Sequence, residues 1–344
     1  MTIMQQELFS EPQVIRNVIS NNTEIINKIV SEVKQRGITN ISTVARGTSD
    51  NATICFKYIT EILTGMPVSE CHPSVITIYK SRVKISDNMT IAISQSGASI
   101  DTLAVLDTAK KAGALTVAVT NSPDSPLAKM AHYHIYLSAG EEKSVAATKT
   151  FIAELVALYM LAIALSGKDS LMEKLHSLPS KLEDLFAMND KFIELAYTMR
   201  NKNNFIVLTR GTMQGVGKEL ALKFAECTYS FGHSYSITDF MHGPLALVEE
   251  GVNVVLLAPD SECTENYLDI AARLNLLGAN ITALSDIRGI LDIADQSIKM
   301  APSDFMTSTI LYGSAVHMLV MNVAIAKGLH PDTPRNLKKV TITK

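Results

Sequence analysis

Short apolar, β-branched runs alternate with longer helix-like runs along this chain. Ile41–Ala45 (ISTVA), Asn88–Ser94 (NMTIAIS), Leu115–Thr120 (LTVAVT) and His134–Ser138 (HIYLS) have the length and side-chain character of strands. Between them lie stretches such as Asp101–Ala112 (DTLAVLDTAKKA), whose pattern predicts a helix stopped at Gly113. Strand–helix alternation predicts βαβ units and a parallel sheet covered on both faces.

The pattern then repeats. Asn204–Thr209 (NFIVLT) runs into Arg210-Gly211-Thr212, as the first strand runs into Arg46-Gly47-Thr48; the two glycines are 164 positions apart. Leu106–Thr120 resembles Leu268–Ser285, with Gly113 and Gly278 offset by 165. The apolar closing helices end at Gly167 and Gly328, an offset of 161. Three landmarks at nearly one offset point to a tandem duplication, although any two βαβ domains share such landmarks. Either reading gives two α/β domains. The organisation expected is a helical lead-in over 1–35, a first domain over 36–167, a polar helix-prone linker over 168–201, a second domain over 202–329 and a tail over 330–344.

Composition narrows the function classes. At 344 residues, with 47% apolar and 19% charged side chains, the chain is globular and about two domains long. Lys+Arg (31) against Asp+Glu (34) leaves a net charge of −3, without the basic excess of a nucleic-acid binder. Aromatics make up only 6% and Trp is absent, which disfavours a stacking surface. Cys55, Cys71, Cys227 and Cys263 are far apart and form neither a metal knuckle nor a disulfide framework. The first residues lack a signal-peptide pattern, and the uncharged apolar run Leu155–Leu165 is short for a bilayer span. A cytoplasmic protein with no membrane partner is expected.

Candidate chemistry belongs at the carboxyl ends of strands, where open α/β sheets bind ligands. Two loops there are rich in hydroxyls: Arg46-Gly47-Thr48-Ser49-Asp50 and Ser94-Gln95-Ser96-Gly97-Ala98-Ser99. Glycine lets the backbone approach a ligand, and hydroxyls with helix N-terminal N–H groups donate to an anion, which suits a monophosphate. The same residues also suit turns and helix caps. Ala139–Thr150 (AGEEKSVAATKT) either reaches over these strand ends or is a solvated helix start. In the second half, Glu219, Lys223 and Glu226 share one helical face within Lys218–Tyr229, as a functional cluster or an exposed salt-bridge ladder. His242, before Gly243-Pro244, is a further candidate or a structural histidine. The tail Lys327–Lys344 is polar and proline-containing, and from its residues alone reads as disordered.

Taken together, six motifs resemble one family. Arg46-Gly47-Thr48-Ser49, Ser94-Gln95-Ser96-Gly97, Ser144-Val145-Ala146-Ala147-Thr148-Lys149, Glu219 through Glu226, His242-Gly243-Pro244-Leu245-Ala246-Leu247 and Pro334-Arg335-Asn336-Leu337 stand in the order found in the sugar isomerase (SIS) superfamily. The resemblance spans about residues 35 to 344. It is to the isomerase half of glucosamine-6-phosphate synthase and its stand-alone relatives, and Val44–Ala52 and Ala139–Thr150 look closest to SIS-type glucosamine-6-phosphate deaminases.

The resemblance implies two tandem, doubly wound, flavodoxin-like parallel-sheet domains with helices on both faces. It implies a hexose 6-phosphate held by Thr48, Ser49, Ser94, Gln95, Ser96 and Ser99, with Val145 and Ala147 beside it. It assigns proton transfer between C1 and C2 to Glu226, places Lys223 nearby, and gives ring opening to His242 from the neighbouring subunit. Lys339 would form a Schiff base with the open-chain keto sugar, and the tail becomes a closing lid. No metal or organic cofactor is implied, and a homodimer is expected.

Two departures bear on the reaction. No glutaminase segment is present and only about 35 residues precede the first strand, so amine release is the direction expected. Relatives also place a Glu-Ala pair near His233-Ser234 and a Glu at Asp239, which leaves the identity of the amino sugar open. The expected activity is conversion of glucosamine 6-phosphate and water to fructose 6-phosphate and ammonia. A fructosamine 6-phosphate deglycase and a non-catalytic sugar-phosphate sensor are the alternatives; a pure binder needs none of Glu226, His242 and Lys339.

Overall fold

Every strand pair among the described residues is parallel, so each strand must reach its neighbour by a crossover, and the helical runs of the sequence supply those crossovers. The computed structural model describes residues Met1–Lys339. The last five positions of the expected tail lie outside the described residues.

The first sheet comprises β1 (Ile41–Val44), β2 (Val68–Glu70), β3 (Met89–Ile93), β4 (Leu115–Thr120) and β5 (Tyr133–Tyr136), in the order β2-β1-β3-β4-β5. The second comprises β6 (Asn204–Thr209), β7 (Phe231–Ser236), β8 (Asn253–Ala258), β9 (Asn280–Ser285) and β10 (Gln296–Lys299), in the order β10-β9-β8-β6-β7. Counted from its other edge the second sheet runs β7-β6-β8-β9-β10, the same permutation as the first. The repeat seen in the sequence is therefore a repeat of topology, in the flavodoxin-like strand order.

The burial of the strands explains their composition. All residues of β1, β3 and β4 are buried, as central parallel strands covered on both faces must be. β2, β5, β7 and β10 are edge strands with exposed positions, and of these only β5 stands out in the sequence as a strand-like run.

By their internal contacts the residues form two bodies. One holds Ser10–Glu142 and Lys149–Pro179 together with Lys338 and Lys339; the other holds Met1–Phe9, Lys143–Thr148 and Ser180–Leu337. Each has an apolar helix as its spine. Lys149–Ser166 packs against the helices Glu11–Arg36 and Thr48–Thr64, and Thr307–Ala326 packs against Asn189–Met199 and Gln214–Lys223. Both spines are long and apolar enough to cross a membrane by length and composition, a length the count of uncharged residues alone understates. They are 83% and 89% buried, as a helix that is apolar all round must be.

Segments that read as a lead-in and linker are packed. The helix Ile3–Phe9 begins on the tail: the Ile3 and Met4 N–H groups donate to the Asp332 carboxylate at 2.9 and 2.8 Å. Its Glu7 carboxylate accepts from the backbone N–H groups of Lys143 and Ser144. Over 168–201, the helices Met172–His176, Leu178–Ala187 and Asn189–Met199 bury Leu175, Leu178, Leu182, Phe192 and Leu195.

Candidate functional site

In the first body, β1 and β3 lie side by side while their onward connections lead to opposite sides of the sheet. That is the topological switch point, where a crevice opens beyond the strand ends. The two hydroxyl-rich loops flank it. After β1, Gly47 takes φ +58° as the residue before the helix Thr48–Thr64. After β3, the loop turns through Gly97 at φ +62° into the helix Ile100–Lys111. Arg46 ties the loops together, donating to the Asp101 carboxylate at 2.9 Å.

The loop hydroxyls are not uniformly placed. Ser99 stands at the N-cap position of the helix Ile100–Lys111 yet makes no side-chain cap hydrogen bond, so capping does not account for it. Ser94, Gln95 and Ser96 are partly exposed on the crest. Ser49 is buried, and its hydroxyl donates inward to the Glu154 carboxylate at 2.7 Å. Thr48 remains at the crest beside it.

Behind the loop lies a polar support that the sequence did not reveal. His134 Nε2 is 2.9 Å from Thr120 Oγ1, and Thr120 also reaches the Ser122 carbonyl and Ser125. Burial lowers the affinity of His134 for a proton. Ser125 crowds Gly97: a Cβ there would lie 2.2 Å from Ser125 Oγ and 2.5 Å from Ser125 Cβ. Gly97→Ala therefore meets both an unfavourable φ and a buried serine. On the expectation that these loops hold a phosphate, it should raise KM for a phosphorylated substrate at least about tenfold with a smaller change in kcat. Pairing it with Ser125→Gly should recover part of the loss, as steady-state kinetics on the three variants would show.

The second body has the equivalent crest but other chemistry. Arg210-Gly211-Thr212 follows β6, Asp260 follows β8 and Asp286 follows β9. The Asp260 N–H donates to Asp286 Oδ1 at 2.7 Å, and burial, partly offset by such bonds, raises the Asp286 carboxyl. Two acids at these strand ends make this crest a poor anion site. The duplication kept the fold and left hydroxyl loops in the first copy only.

What the second body carries instead is a buried charge cluster. Glu219 and Lys223 are fully buried on the helix Gln214–Lys223, with Lys223 Nζ 3.2 Å from Glu219 Oε1. An exposed salt-bridge ladder is thereby excluded. The helix then widens into a π turn over Phe224–Thr228, and Tyr229 closes it at φ +54°. Such turns re-aim side chains at functional positions. Here the π turn begins with Phe224, and Glu226 meets Lys223 Nζ at 2.6 Å while staying 24% exposed. Burial alone pulls the Lys223 ammonium toward neutrality, but the Glu219 and Glu226 carboxylates overcome it and hold it well above the usual lysine range. Lys223 is thus held as a cation between two carboxylates. On the other side of Glu219, His317 of the helix Thr307–Ala326 places Nε2 3.1 Å from Glu219 Oε1, fully buried. A lone histidine in an otherwise apolar helix was the sequence signal for it.

A cavity of about 360 Å³ opens beside Glu226, lined by Ala225, Tyr229, Phe231, Arg335 and Leu337. The tail forms part of its wall, which corrects the disordered reading of these residues. The Arg335 N–H donates to Tyr229 Oη at 2.8 Å and its guanidinium lies 4.1 Å from the Tyr229 ring centroid. Lys327 is anchored at 2.8–2.9 Å on Ser230 Oγ, Asn203 Oδ1 and the Lys202 carbonyl.

The remaining predicted residues have other surroundings. In the first body, Lys339 Nζ meets the buried Glu142 carboxylate at 2.6 Å, and Glu142 also accepts from Thr150 N–H and Oγ1. The solvated-helix-start reading of Glu142 is therefore wrong. Val145 and Ala147 are partly exposed in the second body, where the Val145 N–H donates to the Asp332 carbonyl at 3.1 Å. His242 is exposed at the end of the helix Ile237–Met241. Among the described residues, no three His, Cys, Asp or Glu side chains are grouped as metal ligands. A larger cavity of about 860 Å³, under the first sheet's β2 edge, contains none of these candidates.

A doubled flavodoxin-like fold, with a hydroxyl crest in one copy and a carboxylate–lysine cluster in the other, defines a class of tandem α/β proteins with two parallel sheets of one topology. The SIS domain model matches residues 34–164 and 198–322, and the chain belongs to the SIS family. It is 32% identical over 345 residues to the glutamine–fructose-6-phosphate aminotransferase (isomerizing) of Methanothermobacter thermautotrophicus, covering 98% of this chain and 56% of that protein. The enzyme of the same name from Thermococcus kodakarensis is 34% identical over 351 residues, covering 98% and 58%. The chain thus spans a little over half the length of the curated relatives it matches. Among solved structures it is similar to a protein from Silicibacter pomeroyi assigned provisionally as a phosphosugar isomerase, with a TM-score of 0.87, 30% identity, and 96% and 100% of the two chains covered. A glucosamine-6-phosphate deaminase from Thermotoga maritima shares the fold, with a TM-score of 0.77, 21% identity and 99% and 100% coverage. The chain is a SIS protein related to phosphosugar isomerases.

Proposed function

We propose that the protein is an aldose–ketose isomerising deaminase of amino sugar 6-phosphates, converting glucosamine 6-phosphate and water to fructose 6-phosphate and ammonia. The observation that carries this reading is Glu226: a partly accessible carboxylate at the mouth of a cavity, gripped by a fully buried cation. That combination keeps a base ionised and aimed without burying it out of reach of substrate.

The roles follow from chemistry. Thr48, Ser94, Gln95, Ser96 and Ser99 bind the phosphate with the helix N-terminal N–H groups, while Ser49 supports them through Glu154. His242 opens the ring from the neighbouring subunit of a homodimer, a role that suits its exposure. Glu226 takes the C2 proton of the open-chain aldehyde while a proton from solvent reaches O1, giving an enolamine, and then delivers its proton to C1 as the C2 amine becomes an imine. The product is a C2 imine. Lys339 attacks C2, ammonia leaves, and water then hydrolyses the lysine imine to the ketose. An ammonium cannot attack, so Lys339 must first give up a proton, and its partner Glu142 is placed to take it.

The test is ammonia and fructose 6-phosphate production from glucosamine 6-phosphate, with galactosamine 6-phosphate and fructoselysine 6-phosphate alongside. Binding without turnover of any of them would remove the enzyme reading. One observation favours the deglycase as a second reading: the Glu226 cavity has an apolar wall in which Phe231 is 80% exposed, room that an amine larger than ammonia would use. Faster turnover of fructoselysine 6-phosphate would select it. Borohydride reduction in the presence of fructose 6-phosphate should leave a sugar adduct on the wild type and none on Lys339→Met. An adduct of equal yield on both would move the Schiff base to another lysine.

A further inference from the structure

We propose that His317 and Glu219 are positioning residues that set the grip of Lys223 on Glu226, an inference that rests on Glu226 being the proton-transfer base. The four side chains form one buried line. His317 Nε2 lies 3.1 Å from Glu219 Oε1, the same oxygen lies 3.2 Å from Lys223 Nζ, and Lys223 Nζ lies 2.6 Å from Glu226 Oε2. The first three are fully buried, and Glu226 alone reaches the cavity.

One ammonium is therefore shared between two carboxylates, and whatever stabilises one changes what the other receives. A hydrogen bond from His317 disperses charge on Glu219, so Glu219 draws less on Lys223 and more of the ammonium's field falls on Glu226. At low dielectric such competition is strong. The other titratable groups around it are Cys227 on the same π turn, whose thiol burial pushes up to about 12, Tyr229 at its end, and Asp332 and Arg335 of the tail. The substitutions below alter none of them.

Two substitutions should move the base in opposite directions. His317→Leu leaves Glu219 undispersed and drawing harder on Lys223, so Glu226 loses stabilisation and the acidic limb of kcat against pH moves up. Glu219→Gln removes the competitor, so Lys223 serves Glu226 alone and the limb moves down. Each displacement should be about half to one pH unit, against a wild-type profile measured with glucosamine 6-phosphate. In both variants kcat at neutral pH should fall roughly tenfold, with KM within about twofold. His317→Gln, which keeps an N–H donor, should restore the wild-type profile. Should His317→Leu not fold, the Glu219→Gln and His317→Gln profiles decide the matter. Unshifted limbs, or limbs shifted the same way, overturn the inference. Glu226→Gln in the same assay separates it from its premise. If that variant is inactive while the limbs stay put, only the positioning role fails; if it is active, the base assignment fails with it.

Discussion

Glu226→Gln should lower kcat by about 10²- to 10⁴-fold while leaving KM and the binding of fructose 6-phosphate within a few-fold of the wild type. The amide matches the carboxylate in size and still accepts a hydrogen bond from Lys223 Nζ, now 2.6 Å away, so the π turn and the cavity wall need not move. What it cannot do is accept the C2 proton. The residues proposed to bind the phosphate follow β1 and β3 and do not include Glu226, so binding is read out separately from chemistry. Lys223 keeps Glu219 as a full counter-charge, so the fold should lose little stability. Steady-state kinetics, with calorimetric binding of fructose 6-phosphate to the inactive variant, check both halves. A variant with wild-type kcat would mean that another group moves the proton. A variant that no longer binds would mean that Glu226 is structural.

How far the sequence reached depends on the kind of order involved. Central strands were legible because burial on both faces writes them as β-branched apolar runs, as in Leu115–Thr120. The duplication was legible because turn glycines recur at a fixed offset, and Gly47 and Gly211 do sit at equivalent turns with φ +58° and +61°. The three-residue β2 and the half-polar β7 were not read as strands, since edge positions carry little periodicity. The spacing of Glu219, Lys223 and Glu226 placed them on one face but could not say whether that face was wet. Burial decided it, and burial is set by the helix Thr307–Ala326, roughly a hundred residues away in sequence and beyond any local pattern. The same is true of Glu142, which looks like a surface acid in its own segment and becomes the buried partner of Lys339 only when the tail returns to it.

Lys223→Met should cost about 3–5 kcal/mol of folding stability at neutral pH, the largest single-residue loss expected in the protein. Removing the cation leaves the fully buried Glu219 carboxylate beside His317 without its lysine counter-charge, and a buried charge stripped of its counter-ion is expensive even where the side chain that replaces the cation packs well. The pH dependence gives the cause away. Neighbouring carboxylates raise Lys223 above its usual range in the folded protein, so its stabilisation is complete below the unfolded-state value of about 10.4 and fades only as pH rises through the folded one. Between pH 7 and 9 the wild-type side of the comparison is therefore flat. On the acid side the variant should recover, because a stranded carboxylate escapes its penalty by taking up a proton. Urea unfolding at pH 5, 7 and 9 should show a gap between wild type and variant that is narrowest at pH 5. Adding Glu219→Gln to Lys223→Met should restore most of the loss at pH 7, since it removes the stranded charge itself. A single variant within about 1 kcal/mol of the wild type, or a double variant no better than the single, would show that the cluster is not held together by this charge balance.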